Sequence, residues 1–208
     1  MPIRERAQVM YRAKQLMERD LEERREFDSI IGRSEGIRRI KTLIRELADV
    51  QTTVLILCES GTGKELVARA IHDESPRANK PFIAVNCASI PDTLIEAELF
   101  GYDEGAFTGA RRKGAPGKIV QANGGTLFLD EIGDMSRPLQ AKLLRFLEDG
   151  SFTRVGGTQE LRVNVRLIAA TNRNLEHGIA EGWFREDLFY RLNVFTITMP
   201  PLRNRLDS

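Results

Sequence analysis

An α/β fold is what this sequence predicts: a five-stranded parallel sheet between two layers of helices. Three observations carry that prediction. Short runs of aliphatic and β-branched residues recur along the chain. Amphipathic segments with helical spacing separate them. Each gap is long enough for a helix to cross back over the sheet, as parallel pairing requires. The 208 residues, 41% of them hydrophobic, are enough for one domain with a substantial core and no need of a metal or disulfide staple. No internal repeat and no low-complexity tract interrupts the pattern.

The elements follow in order. Residues Ile3 to Phe27 are dense in charge of both signs, and Ile3, Ala7, Met10, Met17 and Leu21 fall on a heptad-like seam broken at Lys14 and Arg24. Segment 1–27 reads as a charged linker helix, either solvated on all sides or pairing as a coiled coil. The body, 28–208, opens near Asp28. Thr53–Leu57 is the first strand, followed by a turn and a helix from about Lys64 to His72. Phe82–Asn86 is a second strand, Pro91–Phe100 a helix and Thr126–Asp130 a third strand. Ser136–Glu148 is a helix with Ser136 as N-cap, Leu139, Leu143, Leu144 and Leu147 on one face, and Gly150 just past its end. Val165–Thr171 and Val194–Met199 complete the sheet. The glycine-rich stretch Gly101–Gly117 reads as a long loop with Phe107 at its tip, and length without structure points to function.

Charge and cysteine content narrow the classes. With 31 basic against 30 acidic side chains, nucleic-acid binding over the whole surface is excluded. Arg111, Arg112 and Lys113 form a short basic patch that reads as loop solvation rather than a groove reader. Cys58 and Cys87 are too few for a disulfide framework and lack metal-ligand spacing. The first residues hold no signal-peptide core, and no stretch approaches the roughly 20 apolar residues of a membrane span. A soluble chain in a reducing cytoplasm, without membrane contact, is expected.

Two motifs point to nucleotide chemistry. Cys58, Glu59, Ser60, Gly61, Thr62, Gly63, Lys64 and Glu65 (CESGTGKE) lie between a strand and a helix, as a phosphate-binding loop must. Gly61 and Gly63 let the backbone turn its N–H groups toward phosphate oxygens, and Lys64 sets an ammonium at the helix start. Cys58 and Glu65 depart from the GxxxxGK[ST] pattern, and an ordinary glycine-rich turn is the plainer alternative. The second motif is an apolar strand ending in two acids. Asp130 is placed to hold Mg²⁺ directly or through water, and Glu131 to orient and deprotonate an attacking water. The stretch leading to them, Ala122, Asn123, Gly124, Gly125, Thr126, Leu127, Phe128 and Leu129, is grouped with the nucleotide-binding residues. Together the two motifs predict hydrolysis of a Mg²⁺-bound nucleoside triphosphate.

Less specific residues surround this pair. Asn172 ends the Val165 strand and faces the ligand crevice of an open parallel sheet, either sensing a γ-phosphate or serving as a helix N-cap before Leu175. Arg185 and Arg191 sit on a helix six residues apart, off a common face, and each reads equally as a surface ion pair.

Beside CESGTGKE and GGTLFLDEIGDM, the segments ELFGYDEGAFTGA, LIAATNRNL and FREDLFYRLNVFTITMPPLRNR closely resemble the central AAA+ ATPase domain of bacterial sigma-54-dependent transcription activators. The likeness runs from about Ile30 to Arg205, and GAFTGA, intact over Gly105, Ala106, Phe107, Thr108, Gly109 and Ala110, is its most specific part. The resemblance implies a three-layer P-loop AAA+ core that binds ATP with Mg²⁺ at Asp130. It implies that Asn86 restrains Glu131 until the target engages, that Asn172 is sensor I, and that Arg185 and Arg191 reach across a subunit boundary as arginine fingers in a hexameric or heptameric ring. The loop tip, Phe107 and Thr108, would contact sigma-54 RNA polymerase holoenzyme. Glutamate after the lysine, as at Glu65, is common in the family; Cys58 in place of glycine is not. Cys58 is expected at a negative φ with its thiol among apolar neighbours, the alternative being a thiol acidified by Lys64. The chain ends at Ser208, so the helical lid and the C-terminal domain that binds enhancer DNA are missing, and it reads as a fragment or a truncated gene product. The function expected is ATP-driven remodelling of the closed promoter complex. A nucleotide-binding assembly module with little turnover is the alternative.

Overall fold

Period-two alternation in the strands builds the three layers seen in the computed structural model, which describes residues 35–59, 61–106 and 114–199. The predicted helix of 1–27, Ser60, Phe107–Ala110, the basic patch 111–113 and the PPLRNR run lie outside the described residues. In chain order the elements are α1 (Glu35–Ala48), β1 (Val54–Leu57), α2 (Lys64–Asp73), β2 (Phe82–Asn86), α3 (Asp92–Phe100), β3 (Gly101–Tyr102), β4 (Ala115–Pro116), α4 (Lys118–Gln121), β5 (Thr126–Asp130), a 3₁₀ turn (Ile132–Asp134), α5 (Arg137–Asp149), β6 (Ser151–Thr153), β7 (Glu160–Arg162), β8 (Arg166–Thr171), α6 (Leu175–Ala180), α7 (Glu186–Leu192) and β9 (Phe195–Thr198). The main sheet has five parallel strands in the order β2-β5-β8-β1-β9.

Each strand sends alternate side chains to opposite faces. Leu55, Leu127, Leu129, Leu167 and Ala169 pack with α3, α5 and α7 in one core. Val54, Ile56, Phe128, Ile168 and Ala170 pack with α1 and α2 in the other. The central strand β8 is buried at all six positions, as a strand covered on both faces should be.

Several elements refine the sequence reading. Helix α1 buries Ile37, Ile40, Ile44 and Leu47, a three–four spacing that marks a helix before the first strand. At its end the fully buried Arg166 donates to Leu47 O at 2.5 Å and Ala48 O at 2.9 Å, satisfying carbonyls that a helix terminus leaves open. The segment Gly101–Gly117 is not unstructured at its base: β3 and β4 pair antiparallel. The turn after β6 docks on that base through Val155, whose N–H donates to Gly101 O and whose carbonyl accepts from Asp103 N–H. Ser136 occupies the N-cap of α5, yet its side chain makes no capping bond, and Pro138 in the first turn removes an N–H there. Leu139 and Leu143 are buried as expected, while Leu144 and Leu147 are only half-buried and Gln140 and Phe146 take the interior positions.

Candidate functional site

Three segments converge at the carboxyl edge of the sheet. The first is the turn from β1 into α2. Gly61 and Gly63 have φ of 76° and 89°, a left-handed backbone that glycine adopts without a Cβ clash, and Gly63 forms the N-cap of α2. Between them Thr62 is buried, its hydroxyl donating to Glu59 O at 2.7 Å. Lys64, on the first turn of the helix, is 8% exposed.

The second segment is the end of β5. The Lys64 ammonium donates to Glu131 Oε1 and lies 3.2 Å from Asp130 Oδ1. Burial opposes its charge, but the two carboxylates outweigh it and hold the Lys64 pKa above the ordinary lysine value. Glu131 is the one described non-glycine residue with a left-handed backbone, φ 53° and ψ 48°. That conformation costs roughly 1–2 kcal/mol for an L residue and persists because its surroundings hold it. Its N–H donates to Asp130 Oδ1 at 3.0 Å, and its carbonyl accepts from Asp134 N–H. Strain of this kind concentrates at functional sites.

The third segment is the end of β8. The Asn172 N–H donates to Glu131 Oε2 at 3.2 Å, so Glu131 is held by Lys64 on one oxygen and by the central strand on the other. Asn172 is not an N-cap; that place belongs to Asn174, whose Oδ1 accepts from His177 N–H at 2.9 Å. Beside these groups lies a cleft of about 720 Å³ lined by Cys58, Glu59, Asn172, Asn174, Phe189 and Thr198 among others, within the size range of small-ligand pockets.

The remaining predicted residues are placed less uniformly. Cys58 lies outside the left-handed region, packed against the core between the sheet and α1–α2. Burial raises its thiol pKa, against the opposing hydrogen bond with Thr62 and the charge of Lys64, so the acidified alternative is overturned. Glu65 turns outward and pairs with Arg69 at 2.9 Å. Asn86 lies in register with Asp130, but its Oδ1 accepts from Ala88 and Ser89 N–H at 3.0 and 3.1 Å, so its carboxamide oxygen is engaged within its own turn. Arg185 is the N-cap residue of α7, just outside the helix, in a two-point pair with Asp187 at 2.9 and 2.6 Å. Arg191 donates to Leu147 O near the end of α5. Gly105 and Ala106 follow β3, and Ala106 N–H donates to Asp103 O.

One grouping needs correction. Of the run Ala122 to Glu131, only Asp130 and Glu131 reach the site. A strand rises about 3.3 Å per residue, so β5 carries its two ends to opposite edges of the sheet. Leu127, Phe128 and Leu129 are core, while Thr126 bonds His72. Asn123 Oδ1 accepts from Asn164 N–H, and the Gly125 carbonyl accepts from Arg166 N–H and Arg77; Ala122 and Gly124 share that far edge. Sequence reasoning also missed Arg173, which donates to Gly133 O at 2.9 Å, pairs with Asp134 at 3.0 Å and stacks 3.7 Å over the Trp183 ring. Its position directly after Asn172 was the available signal.

Five parallel strands, a glycine turn with a buried lysine and a strand-end acid pair define an α/β domain of the P-loop NTPase class. The chain belongs to the family described as the Sigma-54 interaction domain, matched over residues 30–198. It is 58% identical over 176 residues to a Nif-specific regulatory protein of Azotobacter vinelandii, covering 85% of this chain and 34% of that protein. It is also 58% identical over 179 residues to a signal-transduction and transcriptional-control protein of Clostridium beijerinckii, covering 86% and 28%. This chain therefore spans about a third of the length of the curated relatives it matches. Among solved structures, NtrX from Brucella abortus in complex with ATP is similar at 42% identity and a TM-score of 0.78, covering 95% of this chain and 45% of that one.

Proposed function

We propose that residues 28–208 form an ATP-hydrolysing module that contacts sigma-54 RNA polymerase holoenzyme through the loop Gly105–Ala110 and remodels the closed promoter complex, with 1–27 as its linker. The observation that carries this reading is the Lys64 ammonium, buried beneath two left-handed glycines and shared by Asp130 and Glu131. The Lys64 charge is met by two side-chain carboxylates, which can swing aside, so an anionic ligand can take their place on Lys64. ATP phosphates arriving at the Gly61–Lys64 turn would meet backbone N–H groups, the helix dipole and that ammonium. Glu131, released from Lys64, then holds a free carboxylate beside the phosphates and takes a proton from water as general base.

Asp130 offers the hard oxygen donor that Mg²⁺ prefers, and no group of three or more His, Cys, Asp or Glu among the described residues forms a metal cage. Asp130 would hold the ion alongside phosphate oxygens and water, where Mg²⁺ neutralises developing charge. Glu65, committed to Arg69, does not join that set. The relatives' names and the ATP complex of NtrX support the same reading. No helix among the described residues is long and apolar enough to cross a membrane, and the proposed polymerase partner places the module in the cytoplasm. In a hexameric or heptameric ring, Arg185 and Arg191 would exchange their present partners for the phosphates of a neighbouring copy. DNA contact would need a C-terminal domain outside this sequence.

The second reading, a nucleotide-binding module with little turnover, draws on the Lys64–Glu131 contact itself, which occupies the base. A fluorescent-ATP titration paired with phosphate release separates the two. Parent protein should bind and turn over, and Glu131→Ala should bind but release no phosphate. Binding without turnover by the parent establishes the second reading. Thr108→Ala should keep its ATPase activity and lose sigma-54 binding; equal binding by variant and parent excludes the loop as the contact.

A further inference from the structure

Helix α5 presents Leu139, Leu143 and Phe146 to the core, and among them Gln140, with no exposed surface. Burying a carboxamide is unfavourable unless its polar atoms are bonded. Here they are. Gln140 Nε2 donates to Met135 O at 2.8 Å and to Trp183 O at 3.0 Å, and Oε1 accepts from Arg185 N–H at 2.9 Å. All three partners are backbone atoms, so this side chain senses the path of two segments rather than the identity of their residues.

Those segments are functionally distinct. Met135 closes the 3₁₀ turn that follows Glu131, its N–H donating to Ile132 O. Trp183 to Arg185 form the strap that leads into α7. A second tie reaches the same strap from the end of β8, where Arg173 bonds Gly133 O and Asp134 and stacks on Trp183. Trp183 in turn lies against the bare backbone of Gly178, where an added Cβ would meet the indole at 2.6 Å. The backbone of Arg185 is thereby fixed, while its guanidinium stays on the surface with Asp187.

We infer that Gln140 is a positioning residue that sets the Trp183–Arg185 strap against the turn after Glu131, so that each chain holds its own Arg185 in the attitude from which it serves a neighbouring copy. Packing alone would be met by an apolar residue of similar volume, so the amide marks a demand for position. The inference rests on the reading of Arg185 as acting in trans, and its test keeps the two apart.

Gln140→Met keeps the volume and removes all three bonds. Hydrogen exchange at the Arg185 amide should rise at least tenfold, while the Trp183 and Phe184 amides, bonded to Gly178 O, stay protected. The emission of Trp183, the only tryptophan, should shift. Gln140→Glu retains the acceptor for Arg185 N–H and should restore protection there, whereas Gln140→Leu, which also removes all three bonds, serves as the second disrupting variant should Gln140→Met fail to fold. In mixed assemblies, Gln140→Met with Glu131→Ala should recover phosphate release as fully as Arg185→Ala with Glu131→Ala, and Gln140→Met with Arg185→Ala should recover none. Recovery in that last mixture, or unchanged exchange at Arg185, overturns the inference. If the Arg185→Ala with Glu131→Ala control recovers nothing, the in-trans reading falls instead, and exchange at Arg185 alone then decides the positioning role.

Discussion

At the carboxyl edge of the sheet Lys64, Asp130 and Glu131 are balanced against one another, whereas at the amino edge Arg166 and Arg77 direct most of their donors to backbone carbonyls. Arg166 bonds Leu47 O and Ala48 O, and Arg77 bonds Gly125 O and Asn164 O with side-chain help from Asn164 and Gln51. Burial, with Arg77 nearby, pulls the Arg166 pKa down to about 10. The difference separates a charge that works from a charge that holds. Backbone carbonyls are fixed by the fold and cannot be displaced, so the amino-edge arginines are structural. Side-chain carboxylates can swing aside, so the carboxyl-edge lysine is open to exchange with phosphate.

Breaking the working charge should have the largest effect. Lys64→Ala removes the cation and leaves two carboxylates adjacent. ATP affinity in a fluorescent titration should fall by about 100-fold or more, as loss of charge-assisted bonds worth roughly 3 kcal/mol requires. The folded state should survive, and unchanged affinity would remove Lys64 from the site. The mirror experiment is Arg166→Leu. Orphaning buried carbonyls at the end of α1 should cost about 2–4 kcal/mol in urea unfolding, with ATP affinity of the folded protein within about twofold of the parent.

A third test uses pH at the amino edge. His72 is buried, bonded through Nδ1 to Thr126 Oγ1, and burial lowers its pKa below the ordinary value. The unfolded chain therefore binds a proton before the folded one. The stability this neutral histidine contributes is fully present above about pH 6.5 and is lost as pH falls toward the folded pKa. His72→Gln should flatten the acid limb of a stability–pH curve by up to about 1.4 kcal/mol per pH unit, and an unchanged limb would exonerate His72. The smallest effect is expected at Cys58. Its backbone is not left-handed, so Cys58→Gly relieves no strain, and ATP affinity should change by less than tenfold. A larger gain would mark the turn as damaged.

The main strands and the helices Lys64–His72, Pro91–Phe100 and Ser136–Glu148 were legible because their apolar spacing is local, and their ends in the structure fall within one or two residues of the sequence reading. Helix α1 carries the same signal in Ile37, Ile40 and Ile44. The short pairs β3–β4 and β6–β7 do not, since two or three residues are too few for a period to show. At the site, Gly61, Gly63, Lys64, Asp130 and Glu131 could be read from adjacency to a strand or helix end. Grouping Ala122–Leu129 with them failed because nearness in sequence along an extended strand is distance in space.

By itself, then, the sequence determined the layer pattern, the phosphate-loop glycines and the acid pair, since each depends on neighbours a few residues away. The tertiary structure alone decided that Lys64 lies between Asp130 and Glu131, that Glu131 takes a left-handed backbone, that Arg166 closes α1 and that Gln140 clamps the Arg185 strap. The Lys64, Arg166 and Gln140 contacts, and the bond from Asn172 N–H that fixes the Glu131 carboxylate, each span 40 or more residues of chain, and the geometry that makes such a contact exists only once the sheet has brought its strand ends together.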